Sequence, residues 1–88
     1  MDSQSFFKRQ RAVLLDADEL SGAKIGHNCI IVDINPYSRR EHPQHPDRWR
    51  VRIFLPATQE YREVRAGDLL GLQERDESPL PVPARLHD

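Results

Sequence analysis

The chain lacks most of what a catalytic or metal-binding protein of its length would need. Among its 88 residues Cys29 is the only cysteine, which excludes an intramolecular disulfide framework and any multi-cysteine zinc site. No glycine-rich loop is available to cradle a phosphate, and no Gly-x-Ser-x-Gly surrounds a serine nucleophile. No apolar run approaches the roughly 20 residues needed to span a bilayer. Phe6-Phe7 runs straight into Lys8-Arg9-Gln10-Arg11, without the apolar core and cleavage site of a secretory leader. These absences predict a cytoplasmic, non-catalytic protein with no cofactor and no membrane association.

Size sets a second limit. Residues 74–88 carry three prolines and four acidic side chains, so the compact part is expected to end near Leu72. A domain of roughly 60–70 residues is close to the lower limit for a single hydrophobic core. Such a core leaves little room to enclose a substrate pocket. Three regions are expected: a flexible or short helical N-terminus over 1–10, a β domain over 11–72, and a disordered Pro-rich acidic tail over 73–88.

What the chain has in quantity is unevenly placed charge. Residues 1–38 hold four basic and five acidic groups, 39–65 seven arginines and four acids, and 66–88 two basic and five acidic groups. The middle is therefore +3 and the last third −3, within a total of −1. Either the middle faces an anionic partner or the tail screens it.

The clearest local pattern runs from Trp49 to Leu72. Trp49, Val51, Ile53 and Leu55 alternate with Arg50, Arg52 and Phe54, the period-two signature of a half-buried strand. Pro56-Ala-Thr-Gln has hairpin-loop length, and Glu60–Arg65 reads as the return strand, with Tyr61 and Val64 on opposite faces. Ala66-Gly-Asp-Leu-Leu-Gly-Leu reads as a 3₁₀ or short helical turn that drops Leu69 and Leu72 into the core. Upstream, Ile30, Ile31, Val32 and Ile34 form a β-branched run bounded by Gly26-His-Asn and Asn35-Pro36. Its lack of alternation predicts a strand covered on both faces, with the N-terminal segment over the outside. Cys29 lies in this run and reads as a buried small hydrophobe.

Other segments are less decided. Phe6, Gln10, Val13, Leu14 and Ala17 fall near helical spacing, whereas Val13 and Leu15 suit one face of a strand. Both remain open for residues 5–15, with a frayed or helical start followed by a strand at Ala12–Leu15 expected. Residues 16–23 are turn-rich. Asp16 and Asp18 resemble the start of a calcium loop, but its later glycine and glutamate are missing. Residues 35–47, with Pro36, Pro43 and Pro46, read as a long polar loop carrying Tyr37, Arg39 and Arg40.

The order of strand, long loop, strand, tight hairpin and short turn resembles the small SH3-like barrel of SH3, Tudor and KOW-type domains. Residues 25–34, 49–55 and 60–72 carry the resemblance, about half the chain. Tyr61-Arg-Glu-Val-Arg-Ala-Gly-Asp-Leu-Leu-Gly-Leu72 is similar to the last strands of Tudor-like domains. The resemblance implies a mainly β, partly open barrel of about five short strands. A Tudor-type aromatic cage would have to come from Trp49, Phe54, Tyr37 and Tyr61, and the core claims Trp49.

Two constellations carry candidate chemistry. His42, His45 and Asp47 are of metal-ligating types, but they lie in a loop with no element to hold three or four ligands rigidly. The stronger candidate is an arginine and aromatic surface comprising Tyr37, Arg39, Arg40, Arg50, Arg52, Phe54, Tyr61 and Arg62, with Arg48 and Arg65 nearby. Guanidinium pairs bidentately with carboxylate or phosphate, and Phe54 and Tyr61 offer stacking platforms. Outward arginines also simply solvate a strand, paired with Glu60 and Glu63. A protein partner is expected first, nucleic acid bound by residues 39–65 second, and edge-to-edge self-association third.

Overall fold

In the computed structural model, residues 6–17 and 20–81 are described. Five antiparallel strands dominate: β1 (Gln10–Ala17), β2 (Lys24–Ile34), β3 (Arg50–Leu55), β4 (Glu60–Arg65) and β5 (Leu69–Arg75). They form one sheet in the order β4-β3-β2-β1-β5. One short helix, α1 (Pro36–Glu41), and two 3₁₀ turns, Pro46–Arg48 and Ala66–Asp68, complete the described elements. No helix among the described residues is long and apolar enough to cross a membrane.

The chain length forces the sheet to curl. Strands β4 and β5 stand at its two ends, four interstrand spacings apart, about 19 Å if the sheet were flat. Arg65 and Leu69 are joined by four steps of chain, which reach no more than about 14 Å. The sheet must therefore bend toward itself at this end, and it does so without closing. The Ala66 amide donates to the Trp49 carbonyl at 2.8 Å, and Gly67 comes against the other 3₁₀ turn. A Cβ on Gly67 would lie 3.0 Å from the Asp47 carbonyl oxygen, so only glycine lets the two turns meet this closely.

Curling gives the sheet a concave inner face, where the core lies. Ala12, Leu14, Cys29, Ile31, Ile34, Val51, Ile53, Leu55 and Leu69 fill it, closed off by Phe6, Trp49 and Ala66, with Val64 against its side. The predicted inward face of β3 is all here. The β2 run breaks alternation because of a bulge: Ile31 pairs with Ile53 and Asp33 with Arg52, leaving Val32 as the extra residue. Ile30 then faces outward while Ile31 and Ile34 face in.

Several elements differ from expectation. Strand β1 begins at Gln10 rather than Ala12, and no helix precedes it among the described residues; positions 1–5 lie outside them. Gln10 is almost fully buried, with both ends of its amide satisfied. Its Oε1 accepts from the Phe7 amide at 3.1 Å and its Nε2 donates to the Leu72 carbonyl at 3.0 Å. Gly71 leaves the room, since a Cβ there would sit 2.6 Å from that Nε2. The 3₁₀ or helical turn expected over 66–72 covers only Ala66–Asp68; Leu69–Arg75 is strand β5, which runs three residues past the expected boundary and leaves Leu72 half-buried rather than in the core. The expected long loop over 35–47 contains α1. Asn35 caps it, its Oδ1 accepting from the amides of Tyr37 at 2.8 Å and Ser38 at 3.1 Å, and Pro36 occupies the first helical turn. Ser38 bonds the helix to the sheet: its hydroxyl donates to the Asn35 carbonyl and accepts from the Arg50 amide, each at 2.9 Å.

Candidate binding face

The outer face of the sheet follows from strand parity and register. Arg50, Arg52 and Phe54 point away from the core, and across the hairpin they stand opposite Arg65, Glu63 and Tyr61. The loop Pro56–Gln59 fixes this register through Gln59, whose φ is 58° and whose amide donates to the Leu55 carbonyl at 2.8 Å. On the other side, Ile30 lies beside Phe54 and Asp33 beside Arg52. The face thus has two zones, an apolar row Ile30–Phe54–Tyr61 and a charged zone of Arg50, Arg52, Asp33, Glu63 and Arg65.

The charged zone is open. Arg50 and Arg52 line a shallow groove of about 430 Å³ with Val32, Asp33, Asn35, Pro36 and Glu63. Arg50, Arg52 and Arg65 form no ion pair among the described residues, although Glu63 stands opposite Arg52. Helix α1 adds Arg39 and Arg40 in its last turn, where the helix dipole favours cations. Arg40 lies over the ring of Tyr37 at 5.5 Å, and Tyr37 is 69% exposed. Arg39 lies over Trp49 at 5.6 Å. That indole is anchored, its Nε1 donating to the His42 carbonyl at 2.7 Å.

The apolar row is not open. Phe54 and Tyr61 meet, ring centroids 5.0 Å apart and tilted by 50°, but Phe54 is only 3% exposed and Ile30 only 7%. The expectation that Phe54 offers a surface platform is therefore corrected: a sheet face tells where a side chain points, not what lies over it. The segment after β5 returns to this face. The Asp76 amide donates to the Arg9 carbonyl, and Arg9 Nη1 donates to the Ser78 carbonyl, both at 2.7 Å. The Tyr61 hydroxyl donates to the Pro81 carbonyl. Residues 76, 78 and 81 of the expected disordered tail are thus hydrogen-bonded to Arg9 and to Tyr61 of β4, whereas 82–88 lie outside the described residues. Of the N-terminal segment expected to cover the β2 run, Phe6 goes into the core instead, and residues 1–5 lie outside the described residues.

Arg62 is a second correction. It stands opposite Ile53, so it belongs to the inner side of the hairpin rather than to the surface with Arg50 and Arg52. Its guanidinium is 3.0 Å from Glu60 and 3.9 Å from Asp16, which is itself 3.9 Å from His27. Arg62, Asp16 and His27 rim a cavity of about 400 Å³ with Leu14 and Leu55 in its lining. Residue types alone gave no sign of that grouping, because Asp16 lies in β1 and His27 in β2.

The remaining candidates do not converge. The four aromatics of a cage occupy separate places: Trp49 in the core, Phe54 with Tyr61 on the covered row, and Tyr37 on α1. Among the described residues no three His, Cys, Asp or Glu side chains come together as a metal site requires, His42, His45 and Asp47 included. Cys29 is buried, and desolvation pushes its thiol up to about 11 despite an opposing hydrogen bond with the Leu14 backbone. It stays protonated and unreactive at neutral pH. Comparison with protein-family models, with curated proteins and with solved structures gives no match.

Proposed function

We propose that this chain is a small SH3-like barrel of the Tudor or KOW type. In this reading it is a non-catalytic interaction module, and a protein partner docks on the outer face. Arg50 and Arg52 on β3, Arg65 on β4, and Arg39, Arg40 and Tyr37 on α1 form the contact surface. The observation that carries the reading is the set of guanidinium groups on one sheet face with no ion pair among the described residues. Arginine and tyrosine are also residue types enriched where interfaces concentrate their binding energy. Asp33 and Glu63 interleave with the arginines, and the net charge is −1. A mixed surface suits a protein carrying both signs better than a uniform phosphate backbone.

The test is copurification from the native host with the full chain and with the variant R50E/R52E. A partner retained by the first and lost by the second is expected; a partner held equally by both overturns the reading. The exposed Tyr37, stacked on Arg40, favours a second reading in which residues 39–65 bind single-stranded nucleic acid. That reading requires an affinity for short RNA or DNA that falls steeply as salt rises. No binding of either at low salt ends it.

A further inference from the structure

The Ile30–Phe54–Tyr61 row poses a problem that the arginine face does not. These residues point away from the core, yet Ile30 and Phe54 are as buried as core residues. On this side of the sheet lies the segment Asp76–Pro81, which is outside the strands and is hydrogen-bonded to Arg9 and Tyr61. It starts at Arg9, just before β1, and reaches Tyr61 on β4, three interstrand intervals or about 14 Å away. Five residue steps of polyproline II conformation cover about 16 Å. The segment is long enough only if it is extended.

Its chemistry suits that path. Pro79 and Pro81 have no amide hydrogen, so this stretch cannot join the sheet as a regular strand. Two of its carbonyls, Ser78 and Pro81, accept hydrogen bonds, and they are three residues apart, one turn of polyproline II. Both are met by side-chain donors, Arg9 guanidinium and Tyr61 hydroxyl. Between them Leu80 is half-buried, whereas Pro79 and Pro81 are exposed. Arg9 and Tyr61 thus hold two backbone carbonyls one polyproline turn apart, at the ends of the apolar row.

We propose that the Ile30–Phe54–Tyr61 row is a peptide-docking groove held by the chain's own Asp76–Pro81 segment, and that its partner supplies an extended, proline-interrupted segment of the same kind. The chain masks itself, and a partner binds by displacing the strap. This deepens the interaction-module reading and rests on it for the approach of a partner to the outer face. The strap is displaceable because its three hydrogen bonds lie outside the sheet ladder and most of its residues are solvent-exposed.

The experiment titrates a synthetic peptide with the sequence of residues 76–81 into the full chain by calorimetry. It compares the native chain, P79G/P81G, and P79G/P81G with Tyr61→Phe added. The glycines leave the groove intact but raise the entropy lost when the strap orders, which weakens the internal competitor. The peptide is expected to bind P79G/P81G about tenfold more tightly than the native chain, and the added Tyr61→Phe is expected to remove most of that gain. Equal affinity for the first two proteins, indifference to Tyr61→Phe, or no binding to any of them overturns the proposal. Unchanged far-UV circular dichroism guards against misfolding. Amide exchange at Asp76 in the native chain gives an independent readout, and an unprotected amide there also overturns it. Loss of the strap leaves the R50E/R52E comparison untouched. Failure of that comparison leaves the peptide titration standing, because the strap's observed contacts are with Arg9 and Tyr61.

Discussion

The two faces of the sheet are buried by different means. On the inner face, Val51, Ile53 and Ile31 are sealed by residues of other strands, and the curl that brings them together is imposed by the short β4–β5 connection. On the outer face, Ile30 and Phe54 are as well buried, and the strap proposed to lie over them is outside the sheet ladder and attached through three hydrogen bonds. Burial by the sheet's own closure is a property of the fold. Burial by a strap can be reversed without unfolding the sheet, which is what the proposed docking on the outer face requires.

The sharpest way to break this comparison is to remove one large side chain from each face. Ile53→Ala is expected to cost about 4 kcal/mol in urea unfolding, near the upper part of the range for buried aliphatics, because no neighbour can move into a fully enclosed site. In so small a domain that leaves much of the protein unfolded at 25 °C. Phe54→Ala is expected to cost less, about 3 kcal/mol, since the strap can settle into the space. In the P79G/P81G background that cost should fall by about 1 kcal/mol, the coupling expected of groups in contact. Additive losses would mean that the strap does not cover Phe54.

A smaller effect concerns the cap that joins the outer surface to the core. Asn35→Ala removes the acceptor for the Tyr37 and Ser38 amides and is expected to cost about 1 kcal/mol. It also loosens Arg39 and Arg40, so partner binding should weaken more than stability does. A thermal melt beside a binding titration separates the two. The least change is expected from acid. Asp76 accepts the Ser78 amide at 2.9 Å, and this bond, helped by Arg11 and Arg9, holds its carboxyl below the ordinary value of 3.8. A carboxyl with a lowered folded-state pKa supports the folded arrangement above its unfolded pKa, and that support disappears as pH falls through the folded value. The strap should loosen only below about pH 3.8, seen as movement of the Ser78 amide resonance, while core resonances hold still. A Ser78 amide that does not titrate there would remove Asp76 from the strap's hold.

Legibility differed between the faces for the same reason. Alternation from Trp49 to Leu55 is a local pattern, and it placed the inner face of β3 correctly. The same alternation put Phe54 outside, which is right, but exposure does not follow from direction. The contact that covers the row joins Tyr61 to Pro81, 20 residues on, and the one that starts the strap joins Arg9 to Ser78, 69 residues apart. The helix α1 went unread because Asn35-Pro36 serves equally as a strand stop and as a cap with proline in the first turn. A six-residue polar helix shows no apolar stripe, and its only buried residue is Ser38. Arg62 was misplaced because parity across a hairpin requires the register, which Gln59 fixes through a left-handed conformation not evident from its residue type.

By itself the sequence determined a mainly β chain with strands at β2, β3 and β4, because period-two burial and turn residues are local properties of the polymer. It also determined what is missing: cysteine pairs, glycine-rich loops and spanning segments are absences any reader of the chain can count. Tertiary structure alone decided which surface is free. Curling of the sheet, the bulge at Val32 and the return of residues 76–81 to Arg9 and Tyr61 are set by contacts between distant segments, whose energies depend on where the chain goes rather than on what each stretch prefers.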